Sequence, residues 1–69
     1  MEIKSRVPGK VMEIKVKEGD DVKTKDVLMI LEAMKMAQPV PCPQDGVVKE
    51  IKVNVGDRVN PGNVLVVVE

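Results

Sequence analysis

One lysine stands in a setting that suits covalent chemistry, because Lys35 lies between two methionines in the segment Glu32-Ala33-Met34-Lys35-Met36. A lysine amine can act as a base or nucleophile, and it can also be the point at which a group is attached. Two methionines beside a turn would expose apolar surface without a structural reason, which favours recognition by a partner. We therefore take Lys35 as the candidate site. We interpret the other lysines as solvated surface residues: Lys4, Lys10, Lys15, Lys17, Lys23, Lys25, Lys49 and Lys52.

The rest of the sequence offers no set of residues for catalysis or metal binding. Histidine is absent and Cys42 is the only cysteine, so neither a nucleophile with its base nor a zinc site can be assembled. We interpret Cys42 as a small buried apolar residue. The acidic residues at 18–21 and 56–57 lack the ligand spacing of a calcium-binding EF-hand. Glycine with a positive φ and aspartate bonded to nearby backbone predict turns at both places.

The elements that position Lys35 follow from an internal repeat. An offset of 37 positions superimposes Gly19 on Gly56 and Glu32 on Glu69, without a slip in register between these matches. Such self-similarity indicates one supersecondary unit used twice and a fold with an approximate two-fold axis. We predict one domain of residues 1–69, built from half-repeats of about 1–32 and 38–69 joined by a hairpin at 33–37.

The composition predicts an all-β domain. Val, Ile, Leu and Met must form the core, since the 69 residues include no Phe, Tyr or Trp, and the valine excess favours strands. Eleven acidic and eleven basic residues leave no net charge, which argues against a nucleic-acid partner or a role at a membrane surface. No apolar stretch is long enough to span a bilayer, and the first four residues lack the features of a signal peptide. We therefore expect a cytoplasmic location.

Short strands separated by turns are predicted along the chain. Met12, Ile14 and Val16 alternate with charged residues, which is the period-two pattern of a half-buried strand. Continuous apolar runs at 27–31 and 64–68 predict strands in the core of a sandwich or flattened barrel. We expect the side chains of Met12 and Met29 to fill this core.

The segment around the candidate lysine contains conflicting signals. Residues 31–37 are strong helix formers, so local propensity alone would place a helix there. The aligned copy from Val64 onward is almost entirely valine, which predicts a strand instead. We therefore predict a strand to about Glu32, a tight turn at Met34-Lys35 and a second strand from Met36. Such a turn normally requires glycine or asparagine, and residues that break turn preferences are typical of functional sites.

Prolines follow the turn at every second position, as Pro39, Pro41 and Pro43. In an extended strand their missing N–H groups all lie on one side, which predicts an unpaired sheet edge. Val40 and Cys42 face the opposite way and are candidates for the core.

The segment Glu32-Ala33-Met34-Lys35-Met36, between Gly19-Asp20 and Pro43-Gln44-Asp45-Gly46, resembles the biotin-attachment domain of biotin carboxyl carrier proteins and of biotin-dependent carboxylases, decarboxylases and transcarboxylases. The resemblance covers essentially the whole chain. It implies a flattened β-barrel, or barrel-sandwich hybrid, of two four-stranded sheets with quasi-two-fold symmetry. It also implies a tip lysine that carries biotin, which is here Lys35. Four residues match those that biotin protein ligase and partner enzymes recognise: Glu32, Ala33, Met34 and Met36.

The resemblance implies a carrier that is not an enzyme by itself. Such domains shuttle a carboxyl group between biotin carboxylase and a carboxyltransferase or decarboxylase, so these enzymes and biotin protein ligase are the expected partners. Ala37-Gln38-Pro39 replaces acidic and polar residues of many relatives, and no protruding thumb is inserted. C-terminal domains of pyruvate-, propionyl- or oxaloacetate-handling enzymes are therefore a better match than free-standing acetyl-CoA carboxylase carriers.

Two alternatives share the predicted architecture. A lipoyl domain would carry acyl or aminomethyl groups, but its lysine usually follows an aspartate, whereas Met34 stands here. An unmodified barrel-sandwich domain could be a structural adaptor, as in membrane-fusion components of efflux pumps. Those adaptors lack a tip lysine flanked by methionines.

Overall fold

The structure, a computed structural model that describes all residues 1–69, consists of eight β-strands and the turns between them. It contains no helix that is long and apolar enough to cross a membrane. The strands are β1 (Glu2–Lys4), β2 (Gly9–Ile14), β3 (Asp21–Val22), β4 (Val27–Ala33), β5 (Met36–Pro41), β6 (Gly46–Ile51), β7 (Arg58–Val59) and β8 (Val64–Val68).

The strands form two antiparallel sheets of four strands each. Sheet 1 has the order β1-β8-β6-β3, and sheet 2 has the order β5-β4-β2-β7. Each sheet therefore takes two strands from the first half of the sequence and two from the second half. This arrangement confirms the predicted all-β fold of two four-stranded sheets. The helix that propensity alone would place at residues 31–37 does not form.

The internal repeat is visible in the strand bounds and in the turns. A shift of 37 residues converts β2 into β6 and β3 into β7, and the same shift exchanges the two sheets. The turns at Gly19 and Gly56 have φ angles of 94° and 95°. In each turn the following aspartate accepts a 2.9 Å hydrogen bond through Oδ2 from the backbone N–H three residues before it. These matched contacts confirm that the acidic residues serve turns.

The core lies between the sheets and is aliphatic apart from Met29 and Cys42. Cys42 is buried as predicted, and its Sγ donates a 2.9 Å hydrogen bond to the carbonyl oxygen of Gln44. Val40 is half-buried and packs against the core. Each fully buried aliphatic side chain contributes roughly 1.5–3 kcal/mol to stability. The core residues are Ile3, Val11, Val22, Leu28, Met29, Leu31, Cys42, Val48, Val59, Leu65, Val66 and Val68.

The prediction for Met29 is confirmed, but the prediction for Met12 is wrong. Met29 is fully buried, whereas the side chain of Met12 is 46% exposed. A β-bulge between Val11 and Glu13 shifts the register of β2 against β4. The extra residue breaks the simple alternation of faces, so Val11 points into the core and Met12 points out.

The prolines border the open side of sheet 2. β5 is the edge strand of that sheet, which confirms the predicted edge. Pro39 and Pro41 lie within β5, opposite Ile30 and Val27 of β4, whereas Pro43 lies beyond the end of the strand. Proline has no N–H to offer, so two positions of this edge cannot donate to an added strand.

Candidate functional site

The candidate lysine lies at the tip of the hairpin formed by β4 and β5. These strands share six residue pairs, from Val27 with Pro41 to Ala33 with Met36. Only Met34 and Lys35 lie between the end of β4 and the start of β5, so the connection is a two-residue turn. The predicted strand, turn and strand are therefore confirmed. The ladder holds the tip on a stiff mount, while the lysine side chain keeps its own rotational freedom.

The backbone of the turn is strained. Met34 has a φ angle of 54° and Lys35 has one of 65°, so both lie in the left-handed region. Positive φ at both central residues is the requirement of a type I′ hairpin turn, in which asparagine and glycine are usual. Each residue with a Cβ costs about 1–2 kcal/mol in this region. The sequence therefore keeps Met-Lys at this turn in spite of local preference, which is expected if these side chains serve recognition.

The side chains at the tip point into solvent. Met34 is 93% exposed and Met36 is 64% exposed, and Lys35 is exposed as well. Lys35 takes part in none of the three ion pairs of the domain, which are Glu13–Lys15, Glu50–Lys52 and Lys49–Glu69. The tip thus presents one free amine beside two apolar thioethers.

Two further residues of the predicted site lie just below the tip and differ in exposure. Glu32 is exposed on the outer face of β4. Ala33 is buried, with only 6% of its surface exposed, so it anchors the hairpin to the body of the domain. The roles predicted for these residues in recognition by ligase and partner enzymes stay predictions.

A glycine beneath the hairpin is a positioning residue that sequence reasoning missed. A Cβ atom at Gly9 would lie 2.5 Å from the backbone oxygen of Glu32 and 3.6 Å from Cα of Ala33. Gly9 therefore lets β2 pack closely against β4 immediately below the tip. The aligned Gly46 has the same relation to the backbone oxygen of Glu69, also at 2.5 Å. Matched glycines facing matched glutamates were the sequence signal that could have revealed this contact.

Sequence reasoning also missed that two cations, Lys10 and Arg58, lie on neighbouring strands near the tip. Lys10 of β2 lies opposite Glu32 of β4 on one side and opposite Arg58 of β7 on the other. Residues directly opposite in antiparallel strands point to the same face of a sheet. Lys10, classed above as an ordinary surface lysine, therefore shares the outer face near the tip with Arg58. The sequence could not show this, because residues 10 and 58 meet only through the sheet topology.

Two ionisable groups away from the tip, Asp45 and Lys49, have shifted pKa values. Hydrogen bonds from the backbone N–H and the hydroxyl of Thr24 lower the pKa of Asp45. A hydrogen bond to Glu69 raises the pKa of Lys49. No group of three or more His, Cys, Asp or Glu side chains is arranged to hold a metal ion. The shifted carboxyl group and the shifted amine therefore belong to contacts of the body of the domain.

Comparisons with known proteins agree with this description. The family model described as biotin-requiring enzyme, which represents the biotin-lipoyl domain, matches residues 1–68. Methylmalonyl-CoA decarboxylase subunit gamma of Veillonella parvula is 44% identical over 46 residues, or 67% of this chain and 36% of that protein. Pyruvate carboxylase of Staphylococcus aureus is 46% identical over 46 residues, or 67% of this chain and 4% of that protein.

A solved structure extends the similarity to the whole fold. The urea carboxylase of Kluyveromyces lactis superimposes with a TM-score of 0.94 at 29% identity, covering 100% of this chain and 6% of that chain. This chain spans 36% of the length of the methylmalonyl-CoA decarboxylase subunit and 4% of the length of the pyruvate carboxylase. The match over residues 1–68 shows that this chain belongs to the biotin-lipoyl domain family of biotin-requiring enzymes, whose cofactor is biotin.

Proposed function

We propose that Lys35 is the residue to which biotin is attached, and that the domain carries a carboxyl group on this arm between partner enzymes. The observation that supports the proposal is the exposed, unpaired amine at the apex of a two-residue turn. A modifying enzyme and two later active sites must each surround the attachment point, so it has to stand clear of the body. Among the nine lysines, only Lys35 lies at the tip of a hairpin and between exposed methionines.

The residues at the tip fit an attached biotin. The amine is accessible and has no acidic partner to displace, so an amide can form without breaking a native contact. Amide formation removes the positive charge of Lys35, which allows the arm to enter less polar pockets. The exposed side chains of Met34 and Met36 offer apolar contact area on either side of the arm.

The arm works through tethering. The four-carbon lysine stem and the valeryl chain of biotin form a long flexible arm on a stiff hairpin, and tethering gives effective concentrations of roughly millimolar. Biotin, once attached, supplies the carboxyl-transfer chemistry. The protein contributes placement of the arm, with Ala33 anchoring its base.

The proposed partners are biotin protein ligase, a biotin carboxylase and a carboxyltransferase or decarboxylase. The carboxylase, carboxyltransferase and decarboxylase partners are supported by relatives named as a methylmalonyl-CoA decarboxylase subunit and a pyruvate carboxylase. Since the chain corresponds to only part of each relative, catalysis belongs to other domains or subunits in this proposal.

The test is the intact mass of the domain after co-expression with biotin protein ligase in medium containing biotin. We expect the mass increment of one biotinoyl group and a signal with streptavidin. Lys35→Arg should abolish both, while stability changes by less than about 0.5 kcal/mol, because the side chain is exposed. Lys25→Arg is a matched control, since Lys25 is also exposed in a turn and also has a positive φ, of 75°.

The outcomes separate the alternatives. Streptavidin labelling that persists in Lys35→Arg, or that is lost in Lys25→Arg, would contradict the assignment. A lipoyl increment would support an acyl-carrier domain of the lipoyl type. No modification in the presence of active ligases would favour a structural adaptor.

A further inference from the structure

Because the domain is built from two repeats, each surface residue can be compared with the residue at the equivalent position of the other repeat. A difference in residue type shows what the fold itself does not require. In sheet 2, Lys10 pairs with Glu32 and with Arg58 in a row across three strands below the tip. In sheet 1, the row related by the repeat is Glu69, Val47 and Asp21. Val47 exchanges two backbone hydrogen bonds with Glu69, of 2.8 Å and 2.9 Å, and Asp21 pairs with Val47.

The two rows share their glutamate and differ in charge at the other positions. Lys10 takes the place of Val47, and Arg58 takes the place of Asp21. Since valine and aspartate satisfy the same backbone positions in the other sheet, the cations near the tip are not demanded by the fold. Lys10 and Arg58 are exposed, and neither forms an ion pair within the domain.

The position of the Lys10/Arg58 pair puts it within reach of any enzyme that surrounds the tip. β2 is adjacent to β4, and β7 is the next strand out. Neighbouring strands are about 4.8 Å apart, so the two cations lie roughly 5 Å and 10 Å from the hairpin strand across the outer face. A protein that encloses Lys35 and rests on this face would contact both side chains.

We propose that the Lys10/Arg58 pair docks onto an acidic surface at the active-site entrance of the biotin protein ligase that acylates Lys35. This inference rests on the proposed attachment of biotin to Lys35. The ligase receives Lys35 before acylation removes its positive charge. Negative potential at the entrance would attract Lys35 and the Lys10/Arg58 pair, three cations that outnumber the single anion of the row, Glu32. At the later active sites acylation has removed the positive charge of Lys35, and the carboxylated arm bears a carboxylate instead. Lys10, Arg58 and Lys35 therefore present three positive charges together only to the enzyme that acylates Lys35, so the ligase is the partner that fits.

The experiment exchanges the charges by using residues that the fold already accepts. Lys10→Val with Arg58→Asp copies the row of sheet 1 into sheet 2, and Val47→Lys with Asp21→Arg is the reciprocal control. The probe is a purified biotin protein ligase with biotin and ATP, and the measured quantity is kcat/KM for the domain at low and at high salt. Thermal unfolding checks the fold of every variant.

We expect Lys10→Val with Arg58→Asp to lower kcat/KM by about tenfold at low ionic strength, mainly through KM, because electrostatic steering acts on association. The deficit should fall below about twofold near 0.5 M salt, where charges are screened. The reciprocal control should match the native domain. If the exchange lowers the melting temperature, Lys10→Gln with Arg58→Gln removes the charges with smaller change and should show the same salt-dependent loss.

Three results would overturn the inference. They are a native rate in the charge-exchange variant at low salt, a loss that salt does not reduce, and an equal loss in the reciprocal control. If the native domain is biotinylated and the variants are modified equally fast, the docking role of the Lys10/Arg58 pair is refuted. Lys35 would still be the attachment site in that case. A native domain that the ligase does not modify would refute both proposals.

Discussion

Replacement of Gly9 by alanine tests the close packing beneath the hairpin. The new Cβ would lie 2.5 Å from the backbone oxygen of Glu32, and real Cβ atoms are essentially never closer than 3.0 Å to such an atom. The neighbour is backbone rather than a flexible side-chain end, so β2 and β4 must separate. Gly9 does not have a positive φ, so alanine can adopt its backbone conformation and the steric contact is the only new cost.

The magnitude follows from two opposing terms. Forcing extra volume into a packed site costs about 1–3 kcal/mol. Alanine also restricts the unfolded chain, which returns about 0.4–1 kcal/mol. We therefore expect a net loss of about 1–2 kcal/mol in the free energy of unfolding. For a domain of this size, each kcal/mol moves the melting temperature by about 4–8 °C, which gives a decrease of roughly 5–15 °C.

Thermal and urea unfolding monitored by circular dichroism measure this loss. Gly46→Ala is the matched variant, because its Cβ would lie 2.5 Å from the backbone oxygen of Glu69 and 2.7 Å from Cγ1 of Val68. Both variants should be destabilised. A Gly9→Ala domain as stable as the native one would show that the two strands accommodate a side chain, and the positioning role of Gly9 would then be wrong.

Two other substitutions test the turn and an acid-sensitive contact. Met34→Gly removes the strain of a non-glycine residue at a φ of 54° and loses little burial, since Met34 is 93% exposed. Melting should show a gain of up to about 1 kcal/mol, and a loss would contradict the strained turn. Hydrogen bonds from Thr24 hold the pKa of Asp45 in the folded domain below its ordinary value of 3.8. The carboxylate therefore stabilises the fold above pH 3.8, and this contribution is lost as the pH falls through the lower pKa of the folded state. Asp45→Asn should therefore flatten the acid side of the stability profile in melts between about pH 2 and 5, and an unchanged profile would contradict this.

Much of the fold could be predicted because the sequence repeats itself. The repeat placed a strand where local propensity favoured a helix, and it located the turn at Met34-Lys35. The error at Met12 arose because a bulge cannot be recognised from alternation alone. In the second repeat the residue aligned with Met12 is Lys49, which lies at the equivalent bulge of β6. A lysine there indicated that the position of Met12 faces solvent.

The candidate site was predictable to a different extent for each of its parts. Lys35 and its neighbours are contiguous, so their types and spacing are visible in the sequence. Gly9, Lys10 and Arg58 reach the same end of sheet 2 only through pairings between distant segments. Such pairings depend on strand order and register, and a single sequence without structure does not determine which surface residues become neighbours.

The exchange of strands between halves has a mechanical consequence. β4, which bears the tip, is held between β5 and β2, and each sheet combines strands from both ends of the chain. A pull on the tip along β4 loads its backbone hydrogen bonds in shear, so several of them must rupture together before the strand slips. Neither half of the sequence can separate and leave a complete sheet behind, because both sheets contain strands from both halves. A force applied at the apex is therefore borne by strands from both halves of the domain.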